Sequence, residues 1–266
     1  MKIAINFSDK NFNKARKLNS RTAKYFGGFD KVLEFSPEDI DSDFYEAHKS
    51  ILSKKRGGGY WLWKPYFIDQ TLEQCNEGDY IFYCDSGAYY INKIDYLIRA
   101  LELNNQEIML FENPLIEVQW TNEYLLNSLN CNHASFLYSN QIIAGYILIK
   151  KSEKSVAFIK EYLKLCTNEN YLTDIKTKKN EIAFTHRHDQ SILSLLAKTN
   201  NITPYKDPSD YGKFPLRYFS KNRLFRSNEY DDNYPVIILS NRKENPYVYL
   251  SKYIVRSFFN KMFRNK

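Results

Sequence analysis

The chain has 266 residues, 43% of them hydrophobic and 26% charged, enough for one substantial core or two small ones, and its net charge of +7 favours a polyanionic partner: nucleic acid, an anionic membrane or a phosphate-bearing small molecule. The four cysteines, Cys75, Cys84, Cys131 and Cys166, show no C-x-x-C spacing, which speaks against a zinc ribbon or a disulfide framework. Apolar runs such as Ile142–Ile149 fall far short of the roughly 20 residues a membrane-spanning helix needs, and no charged-then-apolar leader opens the chain, so a cytoplasmic protein is expected.

In chain order, Lys2–Phe7 reads as a short strand, followed by a basic stretch from Ser8 to Arg21 that mixes loop and helix. Val32–Phe35 is a second strand, and Asp43–Lys54 carries Phe44, Ala47 and Ile51 at helical spacing. A helix over Tyr66–Gln74 stops at Gly78-Asp79 before Tyr80–Tyr83, an unbroken apolar run of the sort a central parallel strand shows. Helix Ile94–Leu103, strand Glu107–Phe111, helix Thr121–Leu129 and the glycine-containing strand Ile142–Ile149 continue the mixed rhythm of an α/β protein. Ser152–Cys166 has the strongest helical pattern of the middle region, through Val156, Ile159, Leu163 and Cys166. Asp189–Lys198 is a further helix, 200–232 is aperiodic and reads as surface loops, and Val236–Leu239 is a late strand. No solenoid repeat or low-complexity segment is present.

Three constellations carry candidate chemistry. Asp85-Ser86-Gly87 follows an apolar strand, where open α/β sheets place their ligands; the carboxylate suits a hard divalent cation beside phosphate, although Asp-Ser-Gly also makes a turn on its own account. Arg56-Gly57-Gly58-Gly59-Tyr60-Trp61-Leu62-Trp63-Lys64-Pro65 sets three glycines between cationic side chains, a composition suited to close backbone approach to an anion, with a spacer flanked by buried tryptophans as the alternative. Its spacing matches neither a P-loop nor a dinucleotide-binding turn. His186-Arg187-His188-Asp189-Gln190 precedes a helix, where an acid is explained equally by a dipole-favoured cap and by chemistry; His186 and His188, two residues apart without a third ligand nearby, make only part of a zinc site.

Taken in order, these pieces resemble bacterial GT-A glycosyltransferases of capsule and lipopolysaccharide gene clusters, in which a G-Y-W-L-W-K-P segment precedes an acidic motif after a strand and a later D-Q-S helix start. The likeness spans roughly Asn6 to Leu196, with Gly59–Pro65 its specific part. It implies a GT-A fold, Rossmann-like with a mixed central sheet, over residues 1–246, and transfer of a hexose from a nucleotide-diphosphate sugar, UDP-linked, to a glycan. It further implies donor contacts through Asn6, Phe7, Ser8, Arg56, Trp61, Trp63, Lys64, Asp85, Ser86 and Gly87, a manganese or magnesium ion on Asp85, Asp189 as catalytic carboxylate, and His188 and Gln190 on the acceptor side. Gly87 stands where the usual motif has a second acid, and Ser240-Asn241-Arg242-Lys243 stands where many members of the family place a metal-binding histidine, so Asn241 is the remaining weak ligand and Arg242 with Lys243 an alternative source of positive charge.

At the C-terminus, residues 247–266 form a basic amphipathic helix in which Leu250, Ile254, Phe258 and Met262 recur every fourth residue among Lys252, Arg256 and Lys261. Such a helix suits an anionic membrane surface and a lipid-linked acceptor, as well as packing on the catalytic domain. A nucleotidyltransferase would want a glycine-rich turn after the first strand, which Asn6-Phe7-Ser8-Asp9-Lys10 does not supply. A nucleic-acid-binding module, the non-enzymatic alternative for a basic aromatic chain, would want RNA-recognition motifs, and none is present; no nucleic-acid partner is expected.

Overall fold

A computed structural model describes residues 1–174, 185–230, 234–241 and 244–264. The framework is a six-stranded sheet formed by β1 (Lys2–Phe7), β2 (Lys31–Phe35), β3 (Tyr80–Cys84), β5 (Ile108–Ile116), β6 (Asn140–Lys150) and β7 (Tyr205–Lys206) in the order β2-β1-β3-β6-β5-β7, with β4 (Ala88–Tyr90) pairing outside it. Only β6 runs antiparallel to its neighbours, which makes the sheet mixed, as expected. The central strands read as unbroken apolar runs because both of their faces are covered. Ile3, Ile5, Phe7, Ile81, Tyr83 and Leu110 point to one core, while Ala4, Phe82, Cys84, Met109 and Phe111 point to the other.

The first core is closed by α2 (Trp63–Gln74), α4 (Glu153–Cys166) and α5 (Asp189–Thr199), after α1 (Asn13–Thr22) has begun the opposite layer, which α3 (Asp95–Leu103) completes. Ser152 caps α4 through a reciprocal pair of bonds with Ser155, which satisfies N–H groups the first turn would otherwise leave open. The two-layer helix cover over a mixed sheet gives the three-layer α/β architecture that the strand and helix rhythm implied.

Several elements depart from the sequence expectation. The helix over 43–54 is broken at His48 into Ser42–Ala47 and Lys49–Leu52, and α2 begins three residues early, at Trp63, because Pro65 falls in a first turn where a missing N–H costs no helical bond. The late strand β8 (Ile238–Ser240) does not enter the main sheet; it pairs antiparallel with β4 in a two-stranded ribbon beside it. Strands as short as β4, β7 and β8 have no room to display a period.

The C-terminal helix α6 (Pro246–Arg264) starts four residues before the apolar repeat does. It is docked: the Tyr249 hydroxyl donates to Asp210 Oδ2 (2.7 Å) and accepts from Arg217 (2.7 Å), and Lys213 Nζ reaches Ser257 Oγ (2.9 Å). Leu250, expected on the free apolar stripe, is half-buried on the docked side; the opposite side leaves Tyr247, Val248, Ile254, Val255, Phe258 and Phe259 exposed. The side chains of Lys261 and Met262, and the residues Arg242 and Lys243, lie outside the described part of the chain. No helix among the described residues is long and apolar enough to cross a membrane.

Candidate active site

The carboxyl ends of β1 and β3 lie side by side, and between them the chain places Phe7-Ser8 and Asp85-Ser86-Gly87. Two clefts meet at this point. The first, about 310 Å³, is lined by Phe7, Ser8, Asp9, Lys55, Trp61 and Trp63 among others. The second, about 400 Å³, is lined by Gln190, Arg187, Tyr211, Tyr218, Arg223 and Asn113 among others. Asp85 and Gly87 line both.

Asp85 is set by its neighbours. Its backbone N–H donates to Gly145 O (2.9 Å), and Tyr83 Oη donates to Asp85 Oδ1 (2.7 Å). Opposite it, β6 bulges: the pairing slips from Leu110 with Ile147 to Phe111 with Ile143, so extra residues of β6 arch beside the β3 end. A Cβ at Gly145 would come within 3.2 Å of Asp85 Oδ2, so the glycine is what lets the carboxylate rest against the β6 backbone.

The Gly59–Pro65 segment ties three parts of the structure together. Gly57, Gly58, Gly59, Tyr60 and Trp61 all have positive φ, a left-handed turn that only a glycine-rich stretch adopts cheaply. A Cβ at Gly57 would stand 2.4 Å from the Trp61 ring, and one at Gly59 would stand 2.8 Å from Leu52 Cα. Trp63 stacks on Phe7 at 3.8 Å and donates its indole N–H to Gly57 O (2.9 Å), fixing the turn to the end of β1. Aromatic pairs of this kind contribute about 0.5–1.5 kcal/mol beyond the area they bury. Trp61 stacks on His188 at 5.5 Å, and Lys64 Nζ donates to Asp189 Oδ2 at 2.5 Å, so the same segment grips the start of α5.

Lys64 and Asp189 are both buried, and Lys64 Nζ also lies 4.0 Å from Asp85 Oδ1 and 5.3 Å from the Tyr83 ring centre. Burial raises the Asp189 pKa above the ordinary carboxylate value, and the Lys64 ammonium opposes that rise. Tyr162 Oη is 3.3 Å from the same Asp189 oxygen. Asp189 therefore faces inward, lining neither cleft, and its link to the site runs through Lys64. His188 sits in a strained backbone conformation (φ 54°, ψ −120°) with Nδ1 at 2.8 Å from Leu172 O. Burial lowers its pKa, and burial together with His188 drives His186 down to about 3, so the charged form of each ring is disfavoured.

The expected site residues divide accordingly. Phe7, Ser8, Trp61, Trp63, Asp85, Ser86 and Gly87 come together around the first cleft, and Gln190 faces the second, where its side chain is held by Gln141 (2.7 Å). Ser8 Oγ is buried and has no hydrogen-bond partner among the described residues, as an atom awaiting a ligand would be. Asn6 turns away from the cleft to bond Asn19 (2.8 Å) and Ser20 (2.9 Å), and so braces α1 against β1. Arg56 points outward to an exposed ion pair with Asp174 (2.9 Å); the cation that lines the first cleft is its neighbour Lys55. Lys64, His188 and Asp189 lie behind the cleft walls.

Sequence reasoning missed Lys55, Arg187, Tyr211, Tyr218 and Arg223. Arg187 lay inside a quoted motif. The last three sit in the aperiodic 200–232 stretch, where nothing but aromatic and basic composition marked them.

A divalent cation finds limited support in the protein alone. No group of three carboxylate, histidine or cysteine side chains is placed to hold a metal among the described residues. Asn241 is next to the site, its N–H donating to Gly87 O (2.9 Å), but its side-chain amide is bonded to the backbone of Glu244. Asp85 is the one carboxylate of the motif, with a lysine ammonium nearby. That donor set fits a cation held jointly by Asp85 and incoming phosphates, as magnesium commonly is, and not a resident one.

Sequence comparison finds no matching family and no matching relative among curated proteins. Among solved structures the chain is similar to mouse xyloside xylosyltransferase 1 in its apo form, with a TM-score of 0.52 at 8% identity over 92% of this chain and 99% of that one. It also aligns with the galactosyltransferase LgtC in complex with donor and acceptor sugar analogues (TM-score 0.47, 15% identity, 91% of this chain and 87% of that one). A third alignment is with the apo form of the glycosyltransferase GlyE of Streptococcus pneumoniae (TM-score 0.44, 15% identity, 98% of this chain and 64% of that one). The fold is thus of the GT-A type, in agreement with the sequence expectation.

Proposed function

We propose that this protein is a glycosyltransferase that moves a hexose from a nucleotide-diphosphate sugar, uridine-linked, to a hydroxyl of a glycan during assembly of a bacterial surface polysaccharide. The observation that carries the reading is the meeting of two clefts on one acidic turn, Asp85-Ser86-Gly87, at the carboxyl end of β3 in a GT-A fold. The first cleft, with Phe7, Trp61 and the orphaned Ser8 hydroxyl, suits a base and ribose; Lys55 and the glycine turn suit phosphates. The second leaves room for the sugar and for the acceptor that attacks it.

In the transfer, the acceptor hydroxyl oxygen would form a bond to the anomeric carbon while the bond from that carbon to the diphosphate oxygen breaks, the electron pair leaving with the diphosphate, whose oxygen takes up the hydroxyl proton. Asp85 would hold a manganese or magnesium ion shared with the diphosphate, which when bound supplies positive charge to the leaving group. Lys64 adds a fixed positive charge behind Asp85. Gln190 lines the cleft where the sugar would lie. We assign Asp189 the positioning of Lys64, since its carboxylate is turned inward.

Work at the cytoplasmic face of a membrane belongs to the same proposal. Its support is the exposed apolar side of α6, flanked by Lys252 and Arg256, on a helix whose other side is already docked. A lipid-linked acceptor would be presented at that surface.

The test is nucleotide release from a panel of sugar nucleotides with manganese, magnesium or chelator, for the wild type and Asp85→Ala. Donor-selective release that is lost in the variant supports the proposal. Calorimetry with manganese alone should give no tight binding until UDP is added. Absence of both release and nucleotide binding across the panel would overturn the reading.

A further inference from the structure

Behind Gln190 the protein buries a chain of polar groups. On α5, whose residues from Ser191 to Ala197 are buried, Gln190, Ser194 and Lys198 recur every fourth residue and so share one face. That face meets two fully buried side chains, Glu117 just after β5 and Gln141 in β6. Lys198 Nζ donates to Glu117 Oε2 (2.5 Å), Ser194 Oγ donates to the same oxygen (2.6 Å), and the Thr121 hydroxyl donates to Oε1. Gln141 Nε2 donates to Glu117 Oε1 (3.2 Å) and to Thr121 Oγ1 (3.5 Å), while Gln141 Oε1 accepts from Gln190 Nε2 (2.7 Å).

The direction of this chain is dictated by its inner end. A carboxylate paired with an ammonium can only accept, so Gln141 must turn its NH2 group toward Glu117 and its oxygen toward Gln190. Reversed, its oxygen would face the carboxylate and its NH2 group would face that of Gln190, two repulsive contacts where no water replaces them. Gln190 therefore donates through Nε2. Among the described residues its Oε1 has one long bond, from the Ala144 N–H (3.4 Å) in the bulged part of β6. Gln190 lines the second cleft, and of the two ends of its amide the oxygen is the one left largely open to a ligand there.

We propose that Glu117 and Gln141 are positioning residues of the transfer site: together they hold the Gln190 amide in one orientation, its oxygen a fixed hydrogen-bond acceptor for the sugar in the second cleft. The inference rests on the reading of the protein as a glycosyltransferase and adds to it two residues that line neither cleft. A dipole fixed before the substrate arrives acts on the transition state, so its loss falls on turnover more than on donor binding.

The experiment uses the full chain and has two arms. In the first, side-chain amide NMR follows exchange of the Gln190 NH2 protons with water. Exchange should be slow in the wild type and about tenfold faster in Gln141→Met, which removes the acceptor but leaves Glu117 bonded to Lys198, Ser194 and Thr121. Wild-type exchange as fast as that of an exposed glutamine, or no change in the variant, overturns the proposal. The second arm is kinetic, with the sugar nucleotide that the release panel selects. Gln141→Met should lower kcat about tenfold while UDP affinity and the KM for the sugar nucleotide change by less than about twofold, and Glu117→Gln, which lets Gln141 turn round, should show the same split. On a Gln190→Ala background neither substitution should lower kcat further, because both act through Gln190. A further loss on that background overturns the proposal, as does a wild-type kcat in Gln141→Met. If no sugar nucleotide is turned over, the glycosyltransferase reading fails instead, and the exchange arm still decides whether Gln141 orients Gln190.

Discussion

Replacing Asp189 by asparagine would strand the Lys64 ammonium in the interior. The two side chains are 3% and 5% exposed and 2.5 Å apart, so water cannot take over for the lost partner. Removing one member of a buried pair costs about 3–5 kcal/mol. Asp85, with Oδ1 at 4.0 Å, is close enough to take up part of the released charge and favours the lower figure. Asparagine keeps an amide oxygen that can still accept from Tyr162, so the total stays at about 3 kcal/mol. Against a typical stability of about 5–15 kcal/mol the variant folds, with its urea midpoint lowered by roughly 1–2 M. Tryptophan fluorescence follows the transition, since Trp63 precedes Lys64 and Trp61 stacks on His188, next to Asp189. The double variant Lys64→Met with Asp189→Leu should recover most of the stability, because apolar replacement of a buried pair is often neutral, yet remain without sugar transfer, since the charge behind Asp85 is gone. A cost below about 1 kcal/mol for Asp189→Asn would show that the pair is not the buried brace described, and a fully active double variant would remove Lys64 from the mechanism.

Two further outcomes follow from the geometry. His186, held near 3 in the folded chain and near 6.5 when unfolded, stabilises the protein fully above the unfolded value and loses that contribution as pH falls toward 3; between about pH 6.5 and pH 5 the loss is about 2 kcal/mol. Urea unfolding of the wild type and His186→Asn at those two pH values should show the variant with the flatter dependence, and identical slopes would refute the assignment. For α6, sedimentation with vesicles containing anionic lipid should capture the wild type and release it at high salt, while Phe258→Ser with Phe259→Ser should bind more weakly; capture equal to that by neutral vesicles would leave the helix without its proposed membrane role.

What the sequence disclosed follows from where the signal resides. β3 was legible because a strand buried on both faces is apolar nearly throughout, and Asp85 was legible because it ends such a strand. The Gly59–Pro65 segment stood out by composition, yet its residues divide among three tasks: Gly59 admits Leu52, Trp63 covers Phe7, and Lys64 reaches Asp189, 125 positions away. Composition could nominate the segment but not assign those partners, which depend on α2 and α5 both packing with α4 over one face of the sheet. Asn6 and Arg56 illustrate the same limit at single residues. Each stands beside the first cleft in sequence, but Asn6 is turned into the core by Asn19 and Arg56 is turned out to Asp174. The cationic wall of the second cleft was hidden for a further reason: Trp120, Arg187 and Arg223 come from three distant segments, one of them aperiodic, and no local pattern relates an indole to guanidiniums 67 and 103 residues away. In this fold the first cleft is written in contiguous motifs because it is built at strand ends, whereas the second is assembled from loops that the sheet merely brings together.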